Sequence, residues 1–220
     1  MDENGTKICV SIGNCTVAEC LSALKGQEFA EVRLDSISDI SEAAVRTIFG
    51  QKKKLIATYR KNGEMDDAPR KKLLLAAIDA GAALVDVEVD AGEAYLAEIV
   101  GAAKNRGCEK IVSFHNFEKT PVRAELDRIV DWCFDCGADI AKIACMVKSE
   151  QDAARLLGLL DTERKLVVIG MGKKGKITRI AALLLGSQFT FASLGEGKET
   201  ADGQLEEGRL KGILEALESA

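Results

Sequence analysis

The sequence predicts an α/β protein, a single (β/α)8 barrel domain spanning residues 1–220. Short apolar runs of strand length alternate with longer segments of helical periodicity from end to end, and such alternation is typical of a parallel sheet. Eight strand–helix pairs fit into the 220 residues with no linker and no shift in composition, as a compact barrel requires. An open doubly wound sheet is the alternative. It has less support because no GxGxxG pattern follows the first apolar run.

The predicted elements follow one another in a regular order. The strands are expected at residues 8–12, 30–34, 55–59, 84–89, 110–114, 140–144, 166–169 and 189–192. The helices are expected at 16–25, 41–49, 69–80, 92–105, 121–136, 149–160, 176–185 and 204–217. Pro69 and Pro121 suit the first turn of their helices, and Thr120 is predicted to cap the second of these. Gly81 and Gly137 are predicted to end helices.

Composition and charge exclude several classes of protein. The chain is 47% hydrophobic and 30% charged, which is typical of a globular domain, and its net charge of -5 leaves no basic surplus for a nucleic-acid partner. No apolar run reaches the ~18 residues that span a bilayer, and the polar N-terminal segment lacks the layout of a signal peptide. We therefore expect a cytoplasmic protein with no membrane partner.

The seven cysteines are odd in number and scattered among apolar residues. Cys133 and Cys136 form a CxxC pair, but it lies in an amphipathic helical pattern with no second pair to complete a zinc site. We interpret them as buried or partly buried free thiols in a reducing compartment and expect no metal.

Ionisable residues occur at or near the carboxyl ends of five consecutive predicted strands. They are Glu31, Arg33, Asp35, Arg60, Asp86, Glu88, His115 and Lys142. The hydroxyl residues Thr58 and Ser113 lie on the same strands. Charges inside a barrel are costly unless they are paired, so an interior network of ion pairs is one interpretation. The position of the whole set at the carboxyl ends favours the other, an active site.

Lys142 and His115 indicate the chemistry. Lys142 lies in an apolar run that reads as a central strand, where burial favours the neutral form of an amine, the form that attacks a carbonyl. His115 is the single histidine of the chain and ends the preceding strand. Imidazole exchanges protons near neutrality. The two residues predict an imine-forming amine with an acid–base partner.

Taken together, the motifs resemble those of the type I 3-dehydroquinate dehydratases over nearly the whole chain. They are ExRxD at 31–35, TxR at 58–60, DxE at 86–88, SxHxFxxTP at 113–121, KIA at 142–144, and MG at 171–172 followed by a glycine and Arg179. The resemblance implies a (β/α)8 hydro-lyase that converts 3-dehydroquinate into 3-dehydroshikimate in the shikimate pathway of aromatic amino acid biosynthesis. It further implies a homodimer and no cofactor.

The resemblance also implies roles for individual residues. Lys142 would form the imine, His115 would shuttle the proton, and Glu64 would help to position His115. Arg179 would bind the substrate carboxylate, with Gln204 closing over the same end. The other implied site residues are Glu31, Arg33 and Arg60 for the ring hydroxyls, Met171 for packing on the ring, Ser11 and Thr200 as further contacts, and Asp86 and Glu88 as supporting carboxylates.

Several positions depart from the family pattern. Glu64 follows Gly63 instead of preceding two glycines, and the residues before Gln204 include Thr200 and Asp202 where the family usually has serine and proline. Other interpretations also remain at this stage. One is a class I aldolase or transaldolase, and another is a metabolite-binding barrel without catalysis. The glycines at 170–175 precede a predicted helix and also resemble a phosphate-binding loop.

Overall fold

A computed structural model describes residues 7–61 and 67–219. Within that part of the chain, eight strands of four or more residues alternate with eight α-helices, and three further strands have two residues each. The strands are β1 (Ile8–Ile12), β2 (Phe29–Arg33), β3 (Lys54–Thr58), β4 (Leu84–Glu88), β5 (Glu109–Asn116), β6 (Ile140–Met146), β7 (Leu166–Met171) and β8 (Thr190–Ser193). The helices are α1 (Val17–Leu24), α2 (Glu42–Phe49), α3 (Asp67–Ala80), α4 (Glu93–Arg106), α5 (Arg123–Asp135), α6 (Glu150–Leu157), α7 (Lys176–Leu184) and α8 (Glu207–Glu218).

The strands form one curled parallel sheet in the order β8-β1-β2-β3-β4-β5-β6-β7, and a short strand at Leu205–Glu206 pairs with β8. β1 lies between β8 and β2, with Ile8 opposite Thr190 and Ser11 opposite Glu31. Where β7 meets the start of β8, the backbone N–H of Gln188 donates to the carbonyl of Leu166 at 2.9 Å. The predicted (β/α)8 fold is confirmed.

Local signals explain where most helices begin and end. Thr16 and Glu19 form a capping box at α1, as Ser149 and Asp152 do at α6. Pro69 lies in the first turn of α3 as predicted. Gly81 and Gly137 follow α3 and α5 with φ of 109° and 90°, which confirms their predicted role, since glycine adopts these angles without strain.

The prediction for the start of α5 was wrong. The helix begins at Arg123, after Pro121, and Val122 occupies the cap position with no side-chain bond. Instead of capping the helix, the hydroxyl of Thr120 donates to the carbonyl of Met146 at 2.8 Å. This bond ties the loop after β5 to the end of β6, so the favourable capping residue serves a tertiary contact.

The core has two main layers. Most buried apolar side chains pack between the sheet and the helices. A smaller cluster fills the interior toward the amino ends of the strands and includes Cys9, Ile56, Leu84, Ile111 and Ile140. Side chains alternate along a strand, so the next inward position lies two residues further toward the carboxyl end. These positions carry the polar residues, which lie directly beyond the apolar cluster.

All seven cysteines are free thiols, with Cys133 buried and Cys136 half-buried, as predicted. Among the described helices, none has the length and apolar character needed to cross a membrane.

Candidate active site

A cavity of about 240 Å³ opens at the carboxyl ends of the strands. Ten of the residues singled out from the sequence line it: Glu31, Arg33, Arg60, Glu88, His115, Lys142, Met171, Arg179, Thr200 and Gln204. Two more, Ser11 and Asp86, are buried and contact the lining residues. Glu64 lies outside the described residues. The fold therefore gathers residues that are up to 193 positions apart in sequence, from Ser11 to Gln204, around one opening.

Lys142 lies on the inner side of β6 and is 6% exposed. Its Nζ donates to Oδ2 of Asp86 at 2.8 Å and lies 3.9 Å from Oε1 of Glu31. The same nitrogen lies 4.1 Å from the centre of the Phe191 ring. A carboxylate and an aromatic face thus hold a buried cation at the cavity wall, and they would equally stabilise another cation formed at this nitrogen.

Asp86 is the fully buried carboxylate between the basic groups. It accepts hydrogen bonds from Arg60 at 2.5 Å, from Ser113 at 2.6 Å and from Lys142. Burial alone would raise its pKa, but the charges of Arg60 and Lys142 outweigh that effect and hold the pKa far below the usual range. Asp86 is therefore a permanent anion under Lys142 at any pH near neutrality.

His115 lies at the end of β5, two residues beyond the position paired with Lys142. Its ring stacks on Phe117 at a centroid distance of 6.0 Å. Burial lowers the pKa of His115 well below its ordinary value, and the charges of Arg60 and Lys142 lower it further. The imidazole is therefore neutral near pH 7 and able to accept a proton.

One ring nitrogen of His115 lacks a hydrogen bond within the described part of the chain. Nδ1 of His115 is buried and has no hydrogen-bond partner there. Asp86 acts on it only through its charge. Glu88 lines the same cavity. Burial raises the pKa of its carboxyl group, and the positive charge of Arg60 offsets part of that rise. The carboxyl group lies 3.7 Å from the buried Arg70.

The wall opposite Lys142 is a chain of hydrogen bonds centred on Glu31. The carboxylate of Glu31 accepts from the hydroxyl of Ser11 and, at 2.9 Å, from that of Thr58. Thr200 donates its hydroxyl to Ser11 at 2.7 Å, and its backbone N–H donates to the side chain of Gln204 at 2.8 Å. These bonds connect the interior of β1 and β2 to the loop that ends at Gln204.

Arg33 is held by a carboxylate at the rim of the cavity. It donates to Asp35 through two nitrogens, at 3.0 and 2.7 Å, and to the carbonyl of Thr200 at 3.3 Å. Asp35 also accepts the backbone N–H of Arg60 at 3.1 Å. Asp35 thus fixes both arginines relative to each other.

Arg179 projects from α7 and is only 1% exposed. It donates to the carbonyls of Phe191 at 3.3 Å and Asp202 at 3.1 Å, and its Nε has no hydrogen-bond partner among the described residues. Burial lowers its pKa to about 10, so the guanidinium remains charged near neutrality. A buried cation with an unused donor is suited to bind an anion that enters the cavity.

The glycines before α7 are explained by close packing. A Cβ at Gly175 would lie 2.4 Å from the carbonyl carbon of Gly170, and Gly172 has a φ of 78°. Thr178 ties the same loop together, because its hydroxyl accepts from the N–H of Gly170 and donates to the carbonyl of Gly175, both at 2.7 Å. The glycine pattern therefore shapes this loop whether or not an anion binds there.

Sequence reasoning missed several residues of the site. Phe191 contacts the amine of Lys142, and Phe117 and Met146 line the cavity. Phe191 could have been found, because alternation along β8 places it two residues from Phe189 on the inward face. Phe117 follows its strand, where alternation no longer predicts direction. Within the described ranges, no group of three or more His, Cys, Asp or Glu side chains could hold a metal ion.

The fold and the site define a parallel (β/α)8 barrel with a buried lysine and a neutral histidine at its carboxyl-terminal face. The family model for type I 3-dehydroquinase matches residues 8–220, and the chain belongs to this family. The fold agrees with this membership.

Named relatives match the chain over nearly its whole length. It is 36% identical to the 3-dehydroquinate dehydratase of Methanothermobacter thermautotrophicus, over 91% of this chain and 92% of that protein. It is 35% identical to the 3-dehydroquinate dehydratase of Methanococcus maripaludis, over 96% of this chain and 100% of that protein. The crystal structure of the 3-dehydroquinate dehydratase from Geobacillus kaustophilus matches with a TM-score of 0.86 and 26% identity, over 97% of this chain and 91% of that one.

Proposed function

We propose that this protein is a 3-dehydroquinate dehydratase that acts through a Schiff base on Lys142. The observation that carries the proposal is the shared cavity, onto which a buried amine and a neutral imidazole from adjacent strands both open. Family membership and the names of the relatives support the choice of substrate. A lysine and a histidine so arranged suit elimination next to a carbonyl, because the imine supplies the electron sink and the imidazole the base.

The first chemical step in this proposal forms the imine. The ammonium of Lys142 releases a proton, the resulting amine attacks the C3 carbonyl of 3-dehydroquinate, and the released proton leaves with the C3 oxygen as water, so that a protonated imine forms. The protonated imine carries its positive charge on the nitrogen of Lys142, which lies 2.8 Å from Oδ2 of Asp86. Because Asp86 is ionised at neutral pH, its charge stabilises this intermediate without any rearrangement.

The second step is the elimination itself. His115 removes a proton from C2, and the electron pair is delocalised onto the iminium nitrogen. The resulting enamine expels the C1 hydroxyl, which His115 protonates so that it leaves as water. Hydrolysis of the product imine then releases 3-dehydroshikimate and regenerates the amine. The lowered pKa of His115 keeps the base form available near neutral pH.

The remaining residues bind and orient the substrate in this proposal. Arg179, with its unused donor, binds the carboxylate, and Gln204 closes over the same end. The ring hydroxyls are bound by Glu31, Arg33 and Arg60, while Met171 packs on the ring, Ser11 and Thr200 complete the wall at Glu31, and Glu88 supports the network around His115. The role of Glu64 in positioning His115 stays a prediction.

We further propose that the protein is a cytoplasmic homodimer that serves the shikimate pathway. Free thiols throughout the chain fit a reducing compartment. Three large apolar side chains of α7 and its end, Ile177, Leu184 and Leu185, are more than half exposed. Such positions are suited to an interface between copies. The molar mass in solution tests this part of the proposal.

Turnover of 3-dehydroquinate by the purified protein tests the proposed activity. We expect rising ultraviolet absorbance, because the product is a conjugated enone. A flat trace from folded protein would contradict the proposal and favour a metabolite-binding barrel. Turnover of a sugar phosphate in its place would favour an aldolase.

A further inference from the structure

The anion-binding end of the cavity holds a carboxylate as well as an arginine. Asp202 lines the cavity beside Arg179, and its backbone carbonyl accepts from Nη2 of Arg179 at 3.1 Å. One carboxylate oxygen of Asp202 lies 3.9 Å from the point that a Cβ on Gly172 would occupy. The side chain thus borders the glycine loop before α7, on the cavity side of that loop.

The charge of Asp202 is not neutralised by a direct contact. Among the described residues, no lysine or arginine forms an ion pair with its carboxylate within 4.0 Å, whereas Lys174 of the same loop is paired with Glu150. Arg179 likewise makes no ion pair there. Asp202 nevertheless acts on Arg179 at longer range, since its charge opposes the lowering of the arginine pKa by burial.

A ligand that reaches Arg179 therefore meets attraction and repulsion together. Two guanidinium nitrogens are already bonded to the carbonyls of Phe191 and Asp202, and Nε is unused. A monoanionic carboxylate can take up the free donors, and it is repelled once by Asp202. A dianion such as phosphate keeps a net negative charge after it pairs with Arg179, and Asp202 repels that remaining charge.

We propose that Asp202 is a specificity-determining residue that selects a singly charged carboxylate at the Arg179 end of the cavity and disfavours dianions. The inference rests on the proposed function, because it concerns how that substrate is distinguished from phosphorylated or doubly charged metabolites. Asp202 also lowers the affinity for the substrate, because it repels the substrate carboxylate as well.

The test compares the wild-type enzyme with Asp202→Asn and with the control Glu196→Gln. Glu196 is an exposed acid of the same loop that does not line the cavity. The measured quantities are the KM for 3-dehydroquinate and the inhibition constants of inorganic phosphate and acetate. The assay uses a phosphate-free buffer at about pH 8, where phosphate is a dianion.

For Asp202→Asn we expect the KM for 3-dehydroquinate and the inhibition constant of acetate to fall by about threefold. The inhibition constant of phosphate should fall by about tenfold. These gains should shrink as sodium chloride is added, because salt screens an exposed carboxylate. Glu196→Gln should match the wild type. Equal inhibition constants of phosphate for the wild type and Asp202→Asn would overturn the inference. Turnover of 3-dehydroquinate in the same assays would still support the proposed function. If the wild type does not turn over 3-dehydroquinate, the proposed function fails and the inference falls with it.

Discussion

At the scale of single residues, burial and ion pairing keep one side chain of the site charged and another neutral. Asp86 is held ionised by Arg60 and Lys142, whereas His115, on the next strand, is held neutral by burial and by the same two cations. A fixed anion under the amine and a neutral base beside it are the two requirements of the proposed chemistry.

Replacing His115 with alanine should separate imine formation from elimination. Lys142 and Asp86 remain in the His115→Ala variant, so borohydride with 3-dehydroquinate should still produce a covalent adduct. Turnover should fall by about 10² or more, since proton transfer would lose its catalyst. Stopped assays and protein mass spectrometry measure the two effects on one sample. Normal turnover in this variant would remove His115 from the mechanism.

The pH dependence of turnover follows from the burial of His115. Its pKa lies below the ordinary value of 6.5, so the base form survives at lower pH than free imidazole would allow. We expect the acid limb of kcat/KM, which reports the pKa values of the free enzyme, to have its midpoint below pH 6.5. Arg60→Met removes a cation that lowers this pKa, so it should move the midpoint upward. An acid limb at or above pH 6.5 in the wild type, or a downward shift in Arg60→Met, would contradict this explanation.

At the scale of elements, the start of α7 is joined to the end of β7 by one hydroxyl. Thr178 bonds to both Gly170 and Gly175, and the next residue is Arg179. Replacing Thr178 with valine keeps the shape of the side chain but leaves a buried N–H and a buried carbonyl without that partner. The free energy of unfolding should fall by about 1–3 kcal/mol.

Denaturant titration measures this loss, with Thr178→Ser as the matched control because it retains the hydroxyl. The KM for 3-dehydroquinate should rise in the valine variant, since the loop that positions Arg179 loses its tie. If valine and serine variants unfold at the same denaturant concentration, the hydroxyl does not hold the loop.

Sequence patterns located the strands and most of the site but not its contacts. The apolar pattern placed Lys142 within a strand and His115 at the end of the preceding strand, because such a pattern is a local property of the sequence. The contact of Lys142 with Phe191 depends on the register and curvature of strands distant in sequence, which no local pattern records. The prediction that Thr120 caps α5 was wrong for a related reason. Its hydroxyl bonds instead to the carbonyl of Met146 on another strand.

At the scale of the whole molecule, the barrel buries most of its thiols. Cys15 and Cys136 are partly exposed, and the other five cysteines are buried. Burial also raises the pKa of Cys20, Cys108 and Cys145 to about 12, which suppresses the reactive thiolate. A thiol reagent should therefore modify two cysteines rapidly in the native protein and all seven after denaturation. Rapid reaction of all seven in native protein would show that the closed barrel is not the state in solution.

The central claim concerns the amine of Lys142, and trapping tests it most directly. Protein is incubated with 3-dehydroquinate and sodium borohydride, digested and analysed by mass spectrometry, beside a Lys142→Ala variant and a sample without substrate. The account predicts a reduced adduct on the peptide that contains Lys142, and none in the variant. An active wild-type enzyme that yields no adduct, or yields it on another lysine, would contradict the account.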